Sequence, residues 1–365
     1  MSIDPYDSGT FFILRINEPT LSDSTKQILS HIRPLGVHFG ADAFRNDLPY
    51  SEWLAALIGL RKEISEACER EAMIWALDHE GGRVHRVPAP ITHFSYPLNW
   101  EHRASNIGAV VGTELCSLGV NVLFGPVLDI YSNASNLVIG PRSFGRGVTS
   151  VIDYGLPYID AVQTAGVACV GKHFPGHGDT ELDSHFHLPV LHADLSSLMR
   201  REIEPFAKAF AGGLNATMLA HILFPRINPS LPSSLAPEFT IDLLRDRLGF
   251  QGVAISDDID MKSVRDHFSL PELSRLLLEA QLDLIIVNHD LNGAQKLCDM
   301  LGTEIKKAPH RRYALQRAAR VQSFFDSLDH PTPHLLGQDF ILAHSALSTR
   351  VPEHYNVQVE EFDGQ

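Results

Sequence analysis

Eight short apolar runs punctuate this chain, separated by longer stretches whose apolar positions recur at helical spacing. The runs are Phe11–Ile16, Val37–Phe39, Met73–Leu77, Val120–Phe124, Val167–Val170, Thr217–Leu219, Val253–Ile255 and Leu284–Val287. They are continuous rather than alternating, the pattern of strands buried on both faces. Between them, residues 51–70 set a helical period with Leu54, Leu57, Ile58, Arg61 and Ile64. Ile107, Val110, Val111, Leu115 and Leu118 set a second, and Leu198, Ile203, Phe206 and Phe210 a third. Leu243, Leu244 and Leu248 mark another helix, and Leu273, Leu276 and Leu277 one more. Eight strands alternating with helices predict a single-domain α/β protein, a (β/α)8 TIM-type barrel. An open doubly wound sheet is the competing architecture, but no GxGxxG turn follows the first strand. The barrel is expected over residues 1–330. Residues 331–365 form a C-terminal tail of little periodicity, whose packing the sequence leaves open.

Composition narrows the picture. With 365 residues, 44% of them hydrophobic and 20% charged, the chain can fill a large core and is not a disordered polymer. A formal net charge of -14 disfavours nucleic acid and anionic membrane surfaces as partners, since both select clustered Lys and Arg. The four cysteines, Cys68, Cys116, Cys169 and Cys298, are widely spaced and form no CxxC pair, so free thiols are expected. The first residues carry acids where a secretory signal would be basic, and no run approaches the roughly 18 apolar residues of a membrane span. A soluble cytoplasmic protein is the expectation.

The chemistry collects where a barrel would put it, after the strands. The third run ends in Asp78-His79-Glu80-Gly81-Gly82-Arg83, and the fourth leads to Asp129. The fifth leads into Lys172-His173-Phe174-Pro175-Gly176-His177, the sixth to His221, the seventh to Ser256-Asp257-Asp258 and the eighth to Asn288-His289. Repeated burial of polar groups is costly without a purpose, so a polar pocket at one mouth is expected. A metal centre is disfavoured: His173, His177, His185 and His187 are spaced 4, 8 and 2 apart through Pro and Gly, which fits no common zinc frame. Turn-shaping explains Gly176 and Gly178 but not Asp183-Ser184-His185, where a carboxylate two residues away can orient a histidine. Asp257 is the first polar side chain to face the mouth after its apolar run; Asp258 or Asp260 is expected to cap the helix that follows.

These segments resemble glycoside hydrolase family 3, in particular its single-domain, NagZ-type bacterial β-N-acetylglucosaminidases. The resemblance rests on ALDHEGGRVHRV, FGPVLDI, IGPRSFG, GKHFPGHGDTELDSHFHLP, MLAHILFP and LGFQGVAISDDIDM, in order from Ala76 to Met261. It implies Asp257 as nucleophile, His185 as general acid/base and Asp183 as the partner of His185. It implies Asp78, Arg86, Arg142, Lys172 and His173 as sugar-binding residues. The implied reaction is retaining removal of terminal β-N-acetylglucosamine from muropeptides or oligosaccharides during peptidoglycan recycling, with no metal or organic cofactor. Two positions depart from the family pattern: His79 replaces Gln and Pro141 replaces Asp. Competing readings are a phosphorylase on the same scaffold, a β-glucosidase or xylosidase of the same family, and an inactive sugar-binding protein. The oligomeric state is not legible.

Overall fold

The computed structural model describes residues 2–180, 188–345 and 347. Its strands, in chain order, are β1 (Phe12–Ile16), β2 (Gly36–Phe39), β3 (Ile74–Leu77), β4 (His79–Gly81), β5 (Val84–His85), β6 (Val122–Leu123), β7 (Ala168–Cys169), β8 (Gly171–Phe174), β9 (Ala216–Leu219), β10 (Val253–Asp258) and β11 (Leu284–Val287). All except the β4–β5 hairpin belong to one parallel sheet in the order β7-β6-β3-β2-β1-β11-β10-β9-β8. Only Val170 separates β7 from β8, and its N–H donates to the carbonyls of Leu123 and Gly125. The two ends of the sheet are therefore one strand position, and the sheet closes on itself as a (β/α)8 barrel with eight staves. The first stave meets the last directly, with Phe12 opposite Ile285 and Ile13 opposite Ile286.

Successive side chains of each stave point to opposite faces. One set, including Ile13, Ile74, Ala76, Val122, Val170, Met218, Ile255 and Ile286, packs inside the barrel. The alternate set, including Leu14, Trp75, Leu77, Leu123, Leu219 and Ile285, packs outward against the helices. Continuous apolar runs are the signature of this two-sided burial. The foot of the barrel is plugged by Ile3 and by Val321, Phe324 and Phe325 of the helix Arg311–Asp326. Arg317 from that helix is fully buried there, donating to the Asp283 carbonyl before β11 and to Thr10 before β1, with its guanidinium over the Phe11 ring.

Two helical expectations change. The stretch around Leu243 is a π-helix over Glu238–Arg247, in which Leu243 and Leu244 still bury. Ile58, counted with the apolar face of Tyr50–Cys68, is 43% exposed. The helix Gln338–Ser345 follows the barrel; on the way to it His334 N–H donates to Ser117 and Leu336 N–H to the Tyr50 hydroxyl. The four cysteines are free thiols.

Candidate active site

The polar groups gather at the C-terminal ends of the staves. Asp78 directly follows β3, and Lys172 and His173 sit within β8, two staves away. Lys172 Nζ lies 2.7 Å from Asp78 Oδ1 and 2.6 Å from Glu80 Oε1. Arg142, in the turn Gly140–Arg142, grips Glu80 with two donors: Nε at 2.7 Å and Nη2 at 2.8 Å. Its Nη1 donates to the Val138 carbonyl. Lys172, Glu80 and Arg142 are all buried, so this is an ion network in low dielectric, where a bidentate Arg–carboxylate geometry is strongest. Burial alone would raise the Glu80 carboxyl; Arg142 and Lys172 hold it down at about 2. Burial likewise works against ionised Asp78, but Lys172 and His38 hold its carboxyl well below the usual range. Burial disfavours the Lys172 cation, and Asp78 and Glu80 raise its pKa.

A second anchor lies beneath the β8 end. Asp129 is fully buried; Oδ2 accepts from both the backbone N–H of His173 (3.1 Å) and its ring Nδ1 (2.7 Å). Asp129 Oδ1 accepts from the His177 N–H at 2.6 Å. Burial would raise Asp129, but His173 and His177 lower it. The segment after β8 is braced further by Asn136, whose Nδ2 donates to the His177 carbonyl, and by Asn133, whose Nδ2 donates to the Thr180 carbonyl. Gly178 packs so closely that a Cβ there would stand 1.7 Å from the Ile130 carbonyl oxygen. Asp183 and His185 follow within residues 181–187, outside the described residues.

The β4–β5 hairpin carries Arg86. Gly81 and Gly82 turn it with φ of 85° and 55°, a region open to glycine. Arg83 ties the hairpin to the next loop through the Leu137 and Val138 carbonyls. His79, where the family pattern has Gln, is buried in a row of rings with His85 (4.7 Å between centroids), which in turn stacks on His93 (4.2 Å). Burial, with His85 and His93 beside it, holds His79 well below its ordinary value and therefore neutral. Among the described residues, no group of three His, Cys, Asp or Glu side chains is arranged to hold a metal ion.

Asp257 and Asp258 close β10. Asp257 Oδ1 accepts from the Asp258 N–H at 2.8 Å. Neither Asp258 nor Asp260 caps the helix Lys262–Arg265, contrary to the sequence expectation. Asp258 Oδ1 instead accepts from the Asp260 and Asn288 N–H groups, and Asp260 Oδ2 from the His289 and Asp290 N–H groups, tying β10 to the end of β11. Burial, with Asp260 nearby, pushes Asp258 up to about 8, so at neutral pH it adds little negative charge beside Asp257.

The site thus unites Asp78, Lys172 and His173 around the mouth that Asp257 borders. It also brings in residues that sequence reasoning left aside: Glu80 as the partner of Arg142, Asp129 as the support of His173, and His38 on β2 beside Asp78. The model of the glycosyl hydrolase family 3 N-terminal domain matches residues 20–322. The chain belongs to glycosyl hydrolase family 3. It is accordingly a glycoside hydrolase. Among family members, the β-hexosaminidase of Thioalkalivibrio sulfidiphilus is 34% identical over 303 residues, which is 80% of this chain and 84% of that protein. Native NagZ of Neisseria gonorrhoeae superposes with a TM-score of 0.72 at 28% identity, over 93% of this chain and 94% of that one. A family 3 β-N-acetylglucosaminidase of Paenibacillus sp. superposes with a TM-score of 0.80 at 28% identity; the alignment covers 96% of this chain and spans 66% of the Paenibacillus chain. No helix among the described residues is long and apolar enough to cross a membrane.

Proposed function

We propose that this family 3 hydrolase is a retaining β-N-acetylhexosaminidase that removes terminal β-linked N-acetylglucosamine. The observation that carries the reading is the Asp78–Lys172–Glu80–Arg142 network at the mouth bordered by Asp257. It is a rigid, charge-balanced floor of donors and acceptors suited to sugar hydroxyls, and a carboxylate stands at its edge. The names of the similar β-hexosaminidases and β-N-acetylglucosaminidases support the choice of sugar.

In this reading Asp257, ionised, attacks the anomeric carbon and forms a covalent glycosyl-enzyme. His185 protonates the departing oxygen and then activates water, with Asp183 favouring the charged ring. The two displacements retain configuration. Asp78, Arg86, Lys172 and His173 hold the sugar, and Arg142 acts on it through Glu80. An unperturbed imidazole pKa of about 6.5 suits proton transfer both ways near neutrality. Muropeptides containing anhydro-N-acetylmuramic acid, met in cytoplasmic peptidoglycan recycling, are the proposed natural substrates.

The test is hydrolysis of 4-nitrophenyl N-acetyl-β-glucosaminide beside the glucoside and xyloside, with and without phosphate. A large preference for the N-acetyl sugar and free sugar as product is expected. Equal kcat/KM on the glucoside, or sugar 1-phosphate as the main product, overturns the reading. A 2-fluoro sugar should label Asp257, and labelling of Asp258 or Asp260 refutes the nucleophile. His185→Ala should slow glycosylation far more with a sugar leaving group than with nitrophenolate, by about 10²–10⁴-fold.

A further inference from the structure

Arg15 stands on β1 at the same mouth and plays no part in the network above. Its Nε is buried and has no hydrogen-bond partner among the described residues. The other arginines buried near strand ends are spent: Arg142 on Glu80 and Val138, and Arg317 on Asp283 and Thr10. The backbone holds Arg15 in place. Gly40 N–H donates to the Ile16 carbonyl, and a Cβ at Gly40 would come 2.7 Å from Arg15 Nε and 1.9 Å from Asn17 Oδ1. Asn17 is itself fastened to Asp42 on both sides, donating to Oδ2 and accepting from the backbone N–H. The guanidinium therefore sits in a tight collar.

Its charged surroundings are unusual. After burial, the strongest influence on Arg15 is the like charge of Arg86, followed by the opposing charges of Asp78, Asp258 and Asp42. Those acids have other engagements. Asp78 faces Lys172 and His38, Asp258 accepts two backbone N–H groups and is largely neutral at pH 7, and Asp42 takes the Asn17 amide. No carboxylate among the described residues forms an ion pair with Arg15 or Arg86. An arginine at the mouth with no ion-paired carboxylate, under the like charge of Arg86, is a receptor for a planar or tetrahedral oxyanion, whose binding relieves that repulsion.

We propose that Arg15 forms a subsite for an anionic oxygen group carried by the saccharide: a carboxylate, or a sulfate or phosphate ester. The subsite deepens the hexosaminidase reading and rests on it. The anion has two possible carriers, the terminal sugar or the sugar it leaves.

Two substrate pairs separate the carriers. The first is 4-nitrophenyl N-acetyl-β-glucosaminide against its 6-sulfate. The second is N-acetylglucosaminyl-β-1,4-N-acetylmuramic acid with its lactyl carboxylate free, against the methyl amide of that carboxylate. In one pair the anionic member should have a kcat/KM at least about 10-fold higher, mainly through KM, and added salt should shrink the difference. Arg15→Met should bring the ratio close to one, and Arg15→Lys should keep part of it. If neither anionic member is preferred by the wild-type protein, the proposal fails. It fails equally if the ratio survives Arg15→Met. Should Arg15→Met not fold, inhibition of the wild type by N-acetylglucosamine 6-sulfate against N-acetylglucosamine, and by N-acetylmuramic acid against its methyl amide, replaces it; equal inhibition within both pairs refutes the subsite. Turnover of the unsubstituted nitrophenyl glycoside reports on the hexosaminidase reading separately, since its absence sinks that reading rather than the anion preference.

Discussion

His38 Nε2 stands 3.0 Å from Asp78 Oδ2, while the other nitrogen of the same ring lies 3.3 Å from Asn288 Oδ1. The ring thereby links the ends of β2, β3 and β11 behind a carboxylate proposed to meet the sugar. It is packed against Phe124 and 5% exposed, so it acts through Asp78 as a positioning residue. His38→Leu should raise KM for the N-acetylglucosaminide about 10-fold or more, the order of one close polar contact to a charged group, with a smaller change in kcat. His38→Gln should recover part of the loss. Steady-state kinetics of the two variants decide it, and an unchanged KM in His38→Leu refutes the role.

Asp129 supplies three acceptor contacts to two residues of the β8 segment. An amide can reproduce only some of them, because its nitrogen donates. Asp129→Asn should therefore retain the barrel fold by circular dichroism but lower kcat/KM by about 10–100-fold through misplacement of His173. A variant as active as wild type shows that the imidazole is held elsewhere.

Removing Glu80 leaves Arg142 and Lys172 facing each other without their shared counter-charge. Glu80→Gln should cost about 3–5 kcal/mol in urea unfolding at pH 7. The pH dependence follows from the depressed carboxyl. Folded Glu80 titrates near 2 and unfolded Glu80 in the ordinary carboxylate range. Its contribution is thus complete above about pH 4.5 and is lost as pH falls toward 2. The wild type should lose stability more steeply across that window than Glu80→Gln; identical slopes contradict the assignment.

Glu114 shows the opposite sign. It is wholly buried in the helix Ala104–Ser117 and pushed up to about 7 by burial, although the Thr92 N–H and hydroxyl donate to it. Between about pH 4.5 and 7 the folded protein holds a proton there that the unfolded chain releases, so stability falls as pH rises through this window. Glu114→Gln abolishes that term. The difference in Tm, variant minus wild type, should grow in the variant's favour from pH 5 to pH 8, and a flat difference rules the protonated carboxyl out.

The eight staves were legible because two-sided burial makes each an unbroken apolar run, and the strand-end acids and histidines stood out against those runs. Arg15 and His38 are hidden in the sequence for the same reason. They lie inside the runs, where a single polar residue reads as noise, and only barrel closure shows that both face the mouth. Glu80 was visible beside Asp78, but its pairing with Arg142 spans 62 positions and depends on how the loop after Asp129 folds back. The helix cap expected of Asp258 or Asp260 is a local rule overridden by tertiary structure: Asn288, His289 and Asp290 present their N–H groups to these acids from the end of the neighbouring stave β11. The π-helix at Glu238–Arg247 shares its apolar spacing with an ordinary helix too closely to be told apart by periodicity.

The seam between β1 and β11 also bears on how the protein is made. A ribosome releases β1 well before β11, and synthesis of the chain between them takes on the order of tens of seconds. Throughout that interval one edge of Phe12–Ile16 offers its peptide groups to any passing strand. Arg317, which joins Thr10 near the start of β1 to Asp283 just before β11, emerges later still. Mispairing of a nascent chain therefore falls first on the stave β1, at the edge that β11 later covers.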